Sequence, residues 1–248
     1  MWSRHWGAAL VVSVAWSSSL QAAVLQLAPI PIEIQAPQSA AVLNLGNRSS
    51  ADVALQTRVF RWTQEQGEDR LTPTTDVVVS PPITAVPAGK TLVVRVVRVG
   101  KQPATAEETY RVLVDELPPE KRAAKGQSLQ ILMRYSVPLF VTPAGAAASE
   151  SPLAWRLKPA AAGALQLSAT NPGARRVRLS GLQLQDADGK ALLPPGEQLS
   201  GYVLAGQTMQ WTVKRPGNAA APPSGTYRLE YQTEAKQYRE NVVLGSGR

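Results

Sequence analysis

The chain contains no cysteine and a single histidine, His5. Without thiols there is no disulfide to staple the fold, so stability must come from packing. A chain with neither His nor Cys beyond position 5 builds no Cys/His zinc site, no Ser-His-Asp triad and no Cys-His pair. Carboxylate chemistry and Ser-Lys pairs remain open in principle, but Asp115 and Glu116 are adjacent on an extended segment and point to opposite faces. Asp186-Ala187-Asp188-Gly189 begins like a calcium loop but lacks the later ligands, and the spacing predicts a hairpin turn there. These absences point away from an enzyme; no metal and no cofactor is expected. No run of about 18 apolar residues follows the N-terminal segment, so no membrane insertion is expected. Aromatics are scarce beyond position 16, and the basic residues behind the net charge of +8 are mostly scattered. A basic surface with few bases-stacking rings argues against nucleic acid.

What is present begins with a secretion signal. Arg4 and His5 precede an apolar core from Ala8 to Trp16, and Leu20-Gln21-Ala22-Ala23 supplies a cleavage site after Ala22 or Ala23. Removal of residues 1–23 takes away Arg4 and lowers the net charge to +7. The mature chain is expected outside the inner membrane.

Strand signals then recur every ten to fifteen residues, separated by Gly, Pro and Asn, with almost no helical periodicity. The first set is Val24–Ile34, Ala41–Leu45, Val53–Thr63, Asp76–Val79, Thr91–Val97, Thr109–Leu117 and Leu129–Val141. A stretch rich in Ala, Ser, Gly and Pro at 145–152 has linker composition. A second set follows: Leu153–Lys158, Ala164–Asn171, Arg176–Leu184, Lys190–Leu193, Tyr202–Leu204, Thr208–Val213, Thr226–Gln232 and Arg239–Leu244. Short strands at this spacing predict an all-β chain of two tandem immunoglobulin-like sandwiches, at 24–144 and 153–248.

The most informative segment is 127–143, QSLQILMRYSVPLFVTP. Leu129, Ile131, Met133, Tyr135, Val137, Leu139 and Val141 fall at two-residue spacing and line one side of an extended strand. Pro138 has no N–H, which places the strand at a sheet edge or a bulge. A long apolar edge strand is an aggregation hazard unless it is handed to a partner.

Several blocks resemble the periplasmic chaperones of the chaperone–usher pilus-assembly pathway: LQTRVFRWTQ at 55–64, LTPTTDVVVSPPI at 71–83, TYRVLVDELPP at 109–119, SLQILMRYSVPLF at 128–140 and TNPGARRVRLSGLQL at 170–184. Pro81-Pro82 and Asp115-Glu116-Leu117-Pro118 carry much of the likeness, and RYSVPLF resembles the archaic, spore-coat-like branch. The resemblance implies an L-shaped pair of domains that caps pilus or fimbrial subunits and delivers them to an outer-membrane usher. The strand around Leu129, Ile131, Met133, Tyr135 and Val137 would be lent to a subunit's groove. It also implies an interdomain ion pair at Glu116, against which stands the reading of an ordinary surface strand end, and a self-capping dimer of the free protein is a further partner state to consider.

One departure stands out. The family usually holds the subunit's terminal carboxylate with an Arg on the first strand and a Lys on the last strand of domain 1. Aligning the blocks puts Pro31 and Pro138 at those positions. A carboxylate still needs a cation, and the replacements, in order, are Arg111, Arg134 and Arg58. The clustered Lys121-Arg122-Lys125 is read as a solvated loop or an usher contact. Two other classes remain alongside: a structural surface-fibre subunit, and a carbohydrate-binding two-domain module. The second wants an aromatic platform, and Trp62, Trp155 and Trp211 lie on separate predicted strands in different regions.

Overall fold

A computed structural model describes residues 25–100, 104–118, 131–145, 153–193, 199–214 and 224–244. The signal segment, Leu129, the cluster Lys121-Arg122-Lys125 and residues 146–152 of the linker lie outside the described residues. The first ten strands are β1 (Leu25–Ala28), β2 (Ile32–Gln35), β3 (Ala40–Asn47), β4 (Val53–Glu65), β5 (Glu68–Pro73), β6 (Val77–Ser80), β7 (Ile83–Val86), β8 (Thr91–Arg98), β9 (Glu108–Glu116) and β10 (Arg134–Thr142). They form two sheets, one ordered β1-β3-β8-β6 and the other β2-β10-β9-β4-β5 with β7 beside β4. Alternation explains the packing: Leu43, Leu45, Val94 and Val96 of the first sheet face Ile32, Ile34, Val112, Val114 and Leu139 of the second, all fully buried.

The predicted single strand Val24–Ile34 is two strands in different sheets. β1 pairs with β3 and β2 pairs with β10, because Pro29 and Pro31 interrupt the donors between them and the chain crosses from one sheet to the other. β5 and β7 were not predicted. β5 is exposed at every position and so carries no apolar alternation, while β7 follows directly on Pro81-Pro82.

The second body contains β11 (Ala154–Pro159), β12 (Leu165–Thr170), β13 (Val177–Gln185), β14 (Leu199–Val203), β15 (Thr208–Val213), β16 (Gly225–Gln232) and β17 (Gln237–Leu244), with a short 3₁₀ turn at Ala161–Gly163. Their order is β14-β13-β16-β17-β11-β12-β15, wrapped around a separate core that includes Leu165, Leu167, Leu179, Leu229 and Trp211. Lys190–Leu193 is not a strand. Leu192 and Leu193 are buried, which produced the apolar signal, but only Ala191 bridges to Gln185. The turn before it closes on Asp186, whose Oδ1 accepts the N–H groups of Asp188 at 3.1 Å and Lys190 at 2.8 Å.

Candidate functional site

β10 has one closed edge and one edge that is half open. Along the closed side it runs antiparallel to β9 from Arg134 opposite Asp115 to Val141 opposite Glu108. On the other side β2 covers only Leu139–Thr142. The Glu116 N–H donates to the Met133 carbonyl at 3.0 Å, so the backbone groups of Met133 face β9. Alternation along an antiparallel strand then turns those of Arg134, Ser136 and Pro138 outward. The Ala36 N–H reaches the Thr142 carbonyl at 3.1 Å, as the same parity requires. Pro138 therefore stands where the covered edge ends, with its missing N–H on the outer side. Among the described residues nothing pairs with the outer edge of Arg134–Pro138.

The apolar row splits by burial. Ile131 and Met133 are 63% and 45% exposed, and they precede the strand rather than belong to it. Val137, Leu139 and Val141 pack into the core of the first body, with Tyr135 partly buried against it. The expected strand Leu129–Val141 is thus corrected to Arg134–Thr142 within the described residues. Val137, 2% exposed, has no side-chain surface for a partner. Met133 marks the change: its N–H is drawn to the Glu116 carboxylate at 3.3 Å instead of continuing the ladder. Beside it lies a cavity of about 420 Å³ lined in part by Arg58, Asp115, Glu116, Leu132, Met133 and Arg134. Among the described residues Glu116 makes no interdomain ion pair; its carboxylate serves Met133 and the Tyr135 hydroxyl.

The three arginines predicted as anchors project from one face of the second sheet. Arg58 lies on β4, Arg111 on β9 and Arg134 on β10, at register positions that share the face away from the core. Asp115, unforeseen, is the hub for two of them: Arg58 Nη2 meets it at 2.6 Å and Arg134 Nε donates to its other oxygen. Burial alone would raise the Asp115 carboxyl, but hydrogen bonds from Arg134 and Arg58 hold it below the usual range. Arg111 is different. It stands directly opposite Pro138, its guanidinium lies 3.7 Å from the Trp62 ring centre, and its nearest carboxylate oxygen, on Asp69, is 3.9 Å away. Burial lowers its pKa, offset only partly by Asp69. Arg58 and Arg134 share the single Asp115 carboxylate at close range, whereas Arg111 is a half-buried cation whose ion pair among the described residues, with Asp69, is longer at 3.9 Å.

The same face meets the second body. Trp62 and Phe140 pack with Tyr202 and Leu204, with Trp62 edge-on to Tyr202 at 5.6 Å. Gln64 crosses the junction: its Nε2 donates to the Tyr202 carbonyl at 2.7 Å and its Oε1 accepts the Leu204 N–H at 3.0 Å. Among the described residues the ion pairs between the two bodies gather at Glu107, with Arg176 Nη1 at 2.6 Å and Arg175 Nε at 3.7 Å, and at Glu33, with Arg176 Nη2 at 2.5 Å. The Arg175-Arg176-Arg178 cluster is visible in the sequence, but its acidic partner, some seventy residues earlier, is not.

Trp155 and Trp211 do meet, 6.1 Å apart, and Trp155 also contacts Tyr231 at 5.1 Å. Pairing of β11 with β12 and of β12 with β15 brings their strands together. Trp211 and Tyr231 are nevertheless 8% and 2% exposed, so the group is sandwich core and not a platform.

A chain of the CsuC–CsuE chaperone–tip adhesion subunit pre-assembly complex, from archaic chaperone-usher Csu pili of Acinetobacter baumannii, matches this structure with a TM-score of 0.66 at 24% identity, over 90% of this chain and 100% of that one. The Pseudomonas aeruginosa CupB2 chaperone matches at 0.57 and 17% identity, over 89% and 100% of the two chains. A chain of the Salmonella enterica SafA pilin in complex with the SafB chaperone matches at 0.57 and 18%, over 91% and 99%. These likenesses establish the two-sandwich fold. Comparison with curated proteins gives no match. Residues 24–147 match the family described as pili and flagellar-assembly chaperone, PapD N-terminal domain. An all-β pair of sandwiches that carries this domain over half of its length belongs to the pilus-assembly chaperones.

Proposed function

We propose that this chaperone caps pilus or fimbrial subunits by donor-strand complementation in the periplasm and passes them to an outer-membrane usher. The reading rests above all on one observation: among the described residues the outer edge of β10 is unpaired over Arg134–Pro138, directly beside the exposed Ile131, Leu132 and Met133. A strand laid on that edge gains main-chain hydrogen bonds from Arg134 and Ser136, while apolar side chains of the preceding arm fill its pockets. Each large side chain taken from water contributes roughly 1.5–3 kcal/mol before the cost of association. Met133 is unbranched and tolerates imperfect pockets. In this reading the signal is 1–23, the donor-bearing domain 24–144, the linker 145–152 and the second domain 153–248.

Arg111 is the proposed anchor for the subunit's terminal carboxylate. It lies on the same sheet face as Pro138, and continuing the parallel register of β2 and β10 by one residue brings Pro31 alongside. The cation has moved one strand over, from the positions held by the two prolines to their neighbour. A carboxylate arriving there would supply the counter-charge that Asp69 provides poorly. The cognate subunit would be sought among exported β-rich proteins co-expressed with the chaperone, with complexes isolated by size exclusion. A one-to-one complex that the double variant Ile131→Glu/Met133→Glu loses while remaining folded supports donation; a complex that survives both charges moves the binding surface elsewhere.

A further inference from the structure

We infer that Arg176, a residue of the second body, is a positioning residue that pins β2 against β10 and so fixes where the open edge ends. Its role in subunit binding rests on the strand-donation reading; the pinning itself does not. The Arg176 side chain is 5% exposed and divides its contacts over three neighbouring strands of the other body. Nη2 meets Glu33 of β2 at 2.5 Å, and Nη1 meets Glu107, at the entry to β9, at 2.6 Å. The guanidinium carbon lies 3.6 Å from the ring centre of Phe140 on β10. Glu33 and Phe140 are direct cross-strand partners, so one planar group covers the β2–β10 seam from outside. The Arg176 N–H also donates to Glu107 Oε1 at 2.8 Å, which fixes the side chain's origin.

β2 needs such a hold. It is four residues long, it is the last strand of its sheet, and prolines at 31 and 37 bracket it. Ile32 and Ile34 seat it in the core from one face, but Glu33 on the other face is exposed. Were β2 to lift, the outer edge of β10 would run open from Arg134 to Thr142, and an incoming strand would have no defined stopping point. Pinned, β2 leaves Arg134–Pro138 open and closes the remainder. Arg176 thus sets the register in which a partner strand can add, and it does so from a domain that contributes no strand to that sheet. A lysine could keep the charge on Glu107 but could not reach both carboxylates and lie flat on Phe140.

The test is residue-resolved amide exchange on the free protein, comparing wild type with Arg176→Ala, Arg176→Lys and Glu33→Gln. Parity places the Ile34 and Ala36 N–H groups on the β10 side, and they report the seam. Exchange there is expected to rise about tenfold in Arg176→Ala and Arg176→Lys, and by a smaller factor in Glu33→Gln, while Val94 and Val96 across the core stay unchanged. Equal acceleration at all four sites would mean that Arg176 only stabilises the whole, and no change at Ile34 and Ala36 would remove the pinning altogether. Glu33→Gln alters an exposed side chain and carries the test if Arg176→Ala does not fold. No subunit is used, so failure here leaves strand donation standing, and failure of subunit capture leaves the exchange result standing.

Discussion

At the scale of single residues, the site is an uneven distribution of charge. Two arginines, Arg58 and Arg134, share one carboxylate, while Arg111 lies half-buried on an indole with Asp69 3.9 Å away. Replacing Arg111 with alanine is expected to reduce subunit capture at least about tenfold, since a buried or half-buried carboxylate loses its charge-assisted partner. Arg58→Ala should change it little, and equal effects of the two variants would remove the special role of Arg111. Asp115 gives a pH prediction. Its folded pKa lies below the unfolded value, so its stabilisation is complete above about pH 4 and is lost as pH falls through the folded value. The stability gap between wild type and Asp115→Asn, measured by urea denaturation, should therefore be widest near neutrality and close on acidification. The arginines were legible from their place on predicted strands. Asp115 was not, because adjacency in sequence showed only that it and Glu116 point apart, not which cations on the two neighbouring strands reach it.

At the scale of elements, β10 does two things along its length. Its C-terminal half is core and its N-terminal approach is exposed, which two-residue periodicity cannot distinguish: the apolar alternation continues unbroken from Ile131 to Val141. Substitutions should separate the halves. Leu139→Ala, at a fully buried site, is expected to cost about 2–5 kcal/mol by urea denaturation, whereas Ile131→Glu should stay within about 0.5 kcal/mol. The proline at 138 was correctly informative about an edge, and the structure adds that the edge is shared between β2 and open solvent. Strands without apolar alternation, such as β5, were invisible for a physical reason: an exposed hairpin arm is specified by its turn and its partner strand. The tip of that hairpin, Gly67, has φ +83°, and an added Cβ would lie 2.3 Å from Gln210 Cγ. Gly67→Ala should therefore disturb the seat of this hairpin on β15, whose Gln210 N–H donates to the Gly67 carbonyl at 3.0 Å.

At the scale of the whole molecule, two separately cored sandwiches are joined by polar groups around a small aromatic cluster. Gln64 reaches across to the backbone of Tyr202 and Leu204, and Glu107 is a carboxylate with no solvent exposure held by Arg176. Removing the Gln64 amide leaves the buried Leu204 N–H without its acceptor, an expected cost of about 1–3 kcal/mol. In calorimetry Gln64→Ala should draw the two bodies toward separate transitions; a single transition with unchanged midpoint would show that the junction is held elsewhere. The division into two β bodies was readable from strand spacing. The junction was not, since Gln64, Glu107 and Arg176 are polar residues whose burial depends on how two finished sandwiches meet.

Strand addition to β10 can be read from backbone amide exchange with and without bound subunit. If a subunit strand lies there, the Arg134 and Ser136 amides exchange freely in the chaperone alone and become protected in the complex, while Val137, whose amide faces β9, is protected in both. Arg134 and Ser136 amides that exchange equally fast with the subunit bound would contradict it, because no strand could then be lying on that edge.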